Sequence, residues 1–134
     1  MFIPKNTKYR KYHKMPIKGK ALRGSTLAFG GFGLQATSTG RITSAQIEAC
    51  RQVIRRKTKR TGKLWIRIFP HWPITSKPTE TRMGKGKGAV SHWIARVKTN
   101  KILFEVDGVS KDLATEALKS AAVKLPISVR IINK

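Results

Sequence analysis

Acidic residues are scarce in this chain: six Asp and Glu stand against 29 Lys and Arg in 134 residues, a formal net charge of +23. None of the six precedes Glu48, whereas more than half of the cations lie before residue 64. A small soluble domain ordinarily carries a net charge of magnitude roughly 2–8. A chain so far outside that range repels itself when alone and calls for a polyanion around it. An acid-free stretch cannot satisfy its cations internally, so the partner implied is nucleic acid. Cysteine is almost missing too. Cys50 alone excludes an intrachain disulfide and a zinc cluster, and its place on the apolar side of an expected helix marks it for packing rather than redox chemistry. No apolar run approaches the roughly 20 residues of a membrane span, and the amino-terminal stretch lacks the apolar segment of a secretory signal. That stretch has the basic, acid-poor composition of a transit peptide, but it reads equally as an RNA-binding tail, and the tail is the reading adopted.

What is present fits one domain: the length leaves little room for a second, and 40% hydrophobic residues supply a modest core. Residues 1–26 show no lasting period and form a basic arm, expected to be disordered alone and to fold against phosphates on RNA. Residues 27–134 form a single globular domain containing a long loop over residues 71–89. Residues 27–37 alternate like a strand around Gly30, Gly31 and Gly33, which suggest a bulge or a close backbone approach. Thr43 and Gln46 make a capping box at the start of a helix with an apolar stripe of Ile47, Cys50, Val53 and Ile54 and a stop near Gly62. Residues 64–69 read as a strand stopped by Pro70. Residues 90–97 and 101–106 read as a hairpin turned at Thr99-Asn100. Ser110 caps a second helix over residues 111–124, ended by Leu125-Pro126, and residues 127–132 form a last strand. The expected fold is α+β, a mainly antiparallel sheet with two helices packed on it, the basic extended arm and a long Gly/Lys loop; no internal repeat is visible.

The cations fall into three groups. In the arm, Lys5, Lys8, Arg10, Lys11, Lys14, Lys18, Lys20 and Arg23 are candidate RNA contacts. Tyr9 and Tyr12 among them either stack on unpaired bases or pack on the RNA surface. On the first helix, Arg51, Arg55 and Lys59 recur at helical spacing beside Arg56 and Arg60, five aligned cations with no acid expected to face them. In the loop, Arg82-Met83-Gly84-Lys85-Gly86-Lys87-Gly88 alternates lysine with glycine, a composition that lets backbone follow a phosphate chain closely. It lacks the GxxxxGK[ST] spacing of a nucleotide-binding loop, and a strand rather than a helix follows it. Trp65, Phe69, Trp93 and Phe104 are expected in the core; Trp72, between prolines, fits either core or RNA.

No catalytic residue, metal site or cofactor is expected. His13, His71 and His92 have no ligand spacing. Glu105 and Asp107 share a strand face but read as salt-bridge partners or residues leading into a loop rather than an acid–base pair. A small enzyme built on these two acids, or a free RNA-binding protein or RNA chaperone, are the competing functional classes.

Motifs along nearly the whole chain carry a resemblance: Pro4-Lys5 with Lys8-Tyr9-Arg10-Lys11, Phe29 to Leu34, Ile42-Thr43 with Gln46-Ile47-Glu48-Ala49, and the run from Gly62 to Pro70. Pro73-Ile74-Thr75, Lys77-Pro78, Arg82 to Gly88, Trp93, Ile102-Leu103-Phe104-Glu105, Asp107-Gly108-Val109 and Lys124-Leu125-Pro126-Ile127 continue it. In these residues the chain resembles the bacterial-type large-subunit ribosomal protein L-sixteen family. The resemblance implies an α+β fold seated on large-subunit rRNA beside neighbouring ribosomal proteins. It also implies an arm and first helix holding RNA, and a Gly-Lys loop reaching toward the tRNA acceptor end where aminoacyl-tRNA enters. RNA would do the chemistry; no small-molecule substrate, membrane or homo-oligomer is implied. His71 replaces an acid common in relatives, and some bacterial members modify the arginine matching Arg82. The stretches 75–80 and 93–97 look closest to mitochondrial members, which favours the mitochondrial matrix, with bacterial cytoplasm or plastid stroma as alternatives. Without a transit peptide, synthesis inside the organelle would follow.

Overall fold

The computed structural model describes residues 2–134. Nine elements follow one another: β1 (Phe32–Ala36), β2 (Gly40–Thr43), α1 (Ser44–Lys57), β3 (Lys63–Ile66), β4 (Trp72–Ser76), β5 (Ala89–Val97), β6 (Ile102–Asp107), α2 (Lys111–Ala122) and β7 (Val129–Asn133). The fold is α+β with antiparallel pairing throughout its named strands, as expected, but the strands divide into two sheets. One has the order β3-β6-β1-β7 and the other β2-β5-β4.

This division corrects the expected hairpin of residues 90–97 and 101–106. A turn does form, with Lys101 N–H bonded to Lys98 O and Asn100 at φ +74°. Its two strands then part: Val97 pairs with Gly40 in one sheet and Ile102 with Gln35 in the other. The short link from β1 to β2 crosses between sheets beside it, and Asn100 N–H to Ala36 O (2.8 Å) with Ala36 N–H to Lys101 O (2.9 Å) tie the two crossings together. Strands that change sheets at a shared corner in this way let two small sheets enclose one core.

Both helices start where their caps place them. Thr43 accepts from Gln46 N–H while the Gln46 side chain accepts from Thr43 N–H, a complete capping box, and Ser110 accepts from Leu113 N–H. The first helix ends earlier than Gly62. Thr58 closes it, its hydroxyl donating to Ile54 O, and Lys59 (φ +50°) and Arg60 (φ +63°) follow in left-handed conformations. The helices lie against one another and against both sheets, with Cys50 Sγ 3.5 Å from Ala121 O and Lys57 Nζ 2.9 Å from Glu116 Oε1. Phe104, Leu34, Ile47, Ile54, Leu103 and Leu118 are fully buried between these layers. Burial pushes the Cys50 thiol up to about 11, consistent with a packing role.

The loop expected over residues 71–89 is shorter than that. β4 and the start of β5 pair from Trp72↔Ile94 to Ser76↔Ala89, and residues 77–88 alone project from the end of this hairpin. Pro73 hid β4 in the sequence; it is tolerated because β4 is an edge strand, where one row of N–H groups needs no partner. Phe104 is core as expected, Trp65 and Trp93 are half-buried, and Phe69 is exposed.

Candidate nucleic-acid interface

The arm is not a free tail. Its carboxyl-terminal end is drawn into the domain: Lys20 bridges Thr99, Ala21 N–H donates to Thr99 O, and Ile102 N–H donates to Gly24 O. Glu105 receives the N–H groups of Ala28 (3.1 Å), Phe29 (2.7 Å) and Gly30 (2.8 Å), together with the Arg67 guanidinium. Gly30 is required there, since a Cβ would stand 2.7 Å from Val106 O. Glu105 is thus the salt-bridge partner the sequence suggested, while Asp107 is exposed. Burial alone would raise the Glu105 carboxyl, but three backbone donors and Arg67 outweigh it and hold the group below the ordinary 4.5. With both oxygens so engaged, it is not placed to exchange protons with a substrate.

Farther out, the arm lies across the three-stranded sheet. Arg96 donates to Pro16 O (2.9 Å) and Arg41 to Met15 O (3.4 Å). Arg41 and Arg96 face each other in the β2–β5 register, an arrangement of like charges that is unfavourable until carbonyls or anions share them. Neither arginine was singled out from the sequence, because only the register brings them together. Arg96 also covers the Trp72 ring at 4.5 Å, and Tyr12 meets Trp72 edge-on at 4.8 Å. Tyr12 is therefore packed on the domain, while Tyr9 stays exposed with Lys8 over its ring. Among the arm cations, Lys5, Lys8, Arg10, Lys11, Lys14, Lys18, Lys20 and Arg23 are all exposed.

The five helix cations do gather at one surface, but differently from a helical row. Arg51, Arg55 and Arg56 project from α1, whereas Lys59 and Arg60 reach the same shallow depression from the left-handed turn after it. Holding two non-glycine residues there costs about 1–2 kcal/mol each. The expectation that no acid faces this row is corrected: Glu48 sits one turn before Arg51 and takes its guanidinium, and the same bond lowers the Glu48 carboxyl. Arg55 donates to Gly62 O (3.2 Å). The least engaged cations of the patch are Arg56, Lys59 and Arg60, all exposed.

In the loop, Arg82, Met83, Gly84, Lys85, Gly86 and Lys87 are exposed and Gly88 half-buried at the neck. Gly84 (φ +105°) and Gly86 (φ +87°) flank Lys85, itself at φ +59°, with open space where their Cβ atoms would stand. Lys77 Nζ donates to Gly84 O, bracing the loop from within. The arm braces it from outside. Lys11 Nζ donates to Lys87 O (2.9 Å), and Lys87 Nζ returns a bond to Tyr12 O. The arm and the loop, separate in the sequence, are thus one continuous basic surface.

Among the described residues no group of His, Cys, Asp and Glu is arranged to hold a metal, and no helix is long and apolar enough to cross a membrane. The family model for ribosomal protein L16p/L10e matches residues 4–132. The large ribosomal subunit protein uL16 of Cereibacter sphaeroides is 57% identical over 132 residues, covering 98% of this chain and 96% of its own. The large ribosomal subunit protein uL16c of Cyanidium caldarium is 58% identical over 133 residues (99% and 95%), and uL16 of Mesorhizobium japonicum is 54% identical over 134 (100% and 98%). None of these three relatives carries the preference for a mitochondrial compartment over the bacterial and plastid alternatives. End-to-end identity of this order, on a fold whose cations gather on one arm, one helix end and one loop, means that the chain belongs to the ribosomal protein L16p/L10e family.

Proposed function

We propose that this chain is a structural constituent of the large ribosomal subunit, seated on rRNA and helping to shape the path of the aminoacyl-tRNA acceptor end, with no catalytic step of its own. The observation that carries this reading is the collinear family match over residues 4–132, in a chain of net charge +23. The arm and the patch of Arg51, Arg55, Arg56, Lys59 and Arg60 are the rRNA-facing cations, since phosphate neutralisation is what Lys and Arg in large excess over their acid partners do best, and Glu48 pairs with Arg51 alone. Arg82, Met83, Lys85 and Lys87 form the tRNA-proximal tip. Residues 77–88 project beyond the sheets, where a narrow glycine-rich hairpin end fits between RNA strands that a bulkier element could not enter. Neighbouring ribosomal proteins complete the surroundings.

Sedimentation tests the reading. Tagged chain expressed in cells should travel with large subunits and remain there through high-salt washes. Recovery mainly as free protein, or on DNA, would overturn it in favour of a free nucleic-acid binder.

A further inference from the structure

Between the arm, the edge strand β4 and the neck of the Gly-Lys loop lies a cavity of about 290 Å³. That is near the lower end of the roughly 300–1,000 Å³ typical of small-ligand sites. Its wall holds two aromatic rings, Tyr12 and Trp72, and three cations, Lys14, Arg41 and Lys87; among the described residues no acid lines it. The floor is locally irregular: the pairing of β4 with β5 shifts between Ile74 and Thr75, and both residues line the cavity. Bulges at sheet edges re-aim side chains, often beside functional sites. The arm closes one side through the Tyr12–Lys87 and Lys11–Lys87 bonds, so the cavity exists only while the arm is docked. Arg41, opposed by Arg96 in the sheet, gains from any anion brought to this side.

We infer that this cavity receives one unpaired nucleotide of the RNA on which the chain sits. The base enters against Tyr12 and Trp72, and the flanking phosphates meet Lys14, Arg41 and Lys87. A base within a duplex has both faces stacked and its edge paired, and the cavity admits no duplex; only a bulged or splayed base offers a free ring together with its backbone. This rests on the rRNA-seating reading and sharpens it, because the arm then supplies one wall of a base-receiving site rather than charge alone. A nucleotide held there would also fix the arm to the loop neck.

Two RNA hairpins decide it, matched in total phosphates, one fully paired and one carrying a single-nucleotide bulge, titrated with the full-length chain. The bulged hairpin should bind about tenfold tighter, within what one base stacked on an aromatic contributes. Tyr12→Ala removes a wall, and Thr75→Trp fills the cavity from an edge strand without changing charge. Both should erase the preference, with thermal melting confirming that each variant folds, and Thr75→Trp, which lies outside the arm and the helix patch, should leave affinity for the paired hairpin unchanged. Equal binding of the two hairpins by the unaltered chain, or a preference that survives in both variants, overturns the cavity proposal while leaving RNA seating intact. Failure to bind either hairpin overturns the seating reading itself.

Discussion

An ionised carboxylate carried into a protein interior without partners costs several kcal/mol. Glu105, fully buried in β6, avoids that through three backbone N–H groups and Arg67, and in doing so fixes the point where the arm joins the domain. Glu105→Gln should therefore destabilise the fold by about 3 kcal/mol in urea unfolding. That is the low end for breaking a buried pair, because Arg67, 18% exposed, retains some access to water. The pH dependence has a definite sign. The folded carboxyl lies below its ordinary 4.5, so its contribution is fully present above that value and is lost as pH falls through the lower folded one. Unfolding free energy should drop on the acid side of 4.5, and Glu105→Gln should flatten that drop; parallel curves for the two proteins would assign the acid limb to other groups.

At the scale of elements, the two basic structures separate by experiment. Binding to RNA should lose about one unit of salt slope for each phosphate contact removed. Glu48 already engages Arg51, so Arg51→Gln should change the slope less than Arg56→Gln does. Equal effects would mean that the Glu48 bond opens on RNA. In the loop, Lys85 has no partner among the described residues, whereas Lys87 holds Tyr12. Lys85→Ala should slow tRNA accommodation and spare incorporation into subunits; Lys87→Ala should also loosen the arm, seen as faster amide exchange at the neighbouring Tyr12 and His13. Loss of incorporation with Lys85→Ala would make the loop an assembly anchor. The helices were legible because a capping box at Thr43, an N-cap at Ser110 and apolar stripes are local signals, written within a few residues of each other. The division into two sheets was not. Val90 to Val106 has the pattern of one hairpin, and only pairing with Gly40 and Gln35, far away in the chain, reveals that its strands diverge. The docked arm was illegible for the same reason: its partners Arg41 and Arg96 carry no pattern until the register joins them.

For the molecule as a whole, charge works against the fold. Three ion pairs join described residues, and only Glu105 with Arg67 among them is buried. The remaining cations repel one another across a surface that RNA is proposed to cover. Raising salt from about 0.01 M to about 1 M shortens the screening length from roughly 30 Å to roughly 3 Å. Screening weakens exposed ion pairs as well, but exposed pairs contribute little, typically under about 1 kcal/mol. Relief of repulsion should then dominate, and the melting temperature of the isolated chain should rise with salt. Polyanions should raise it at far lower concentration, because they bind the folded basic surface directly. The arm offers an internal check: with its cations gathered against Arg41 and Arg96, amide protection across residues 12–24 should increase with salt more than protection in β6. A melting temperature that falls as salt rises would mean that attraction outweighs repulsion in the free chain. The uneven charge would then be a feature the fold already accommodates without RNA.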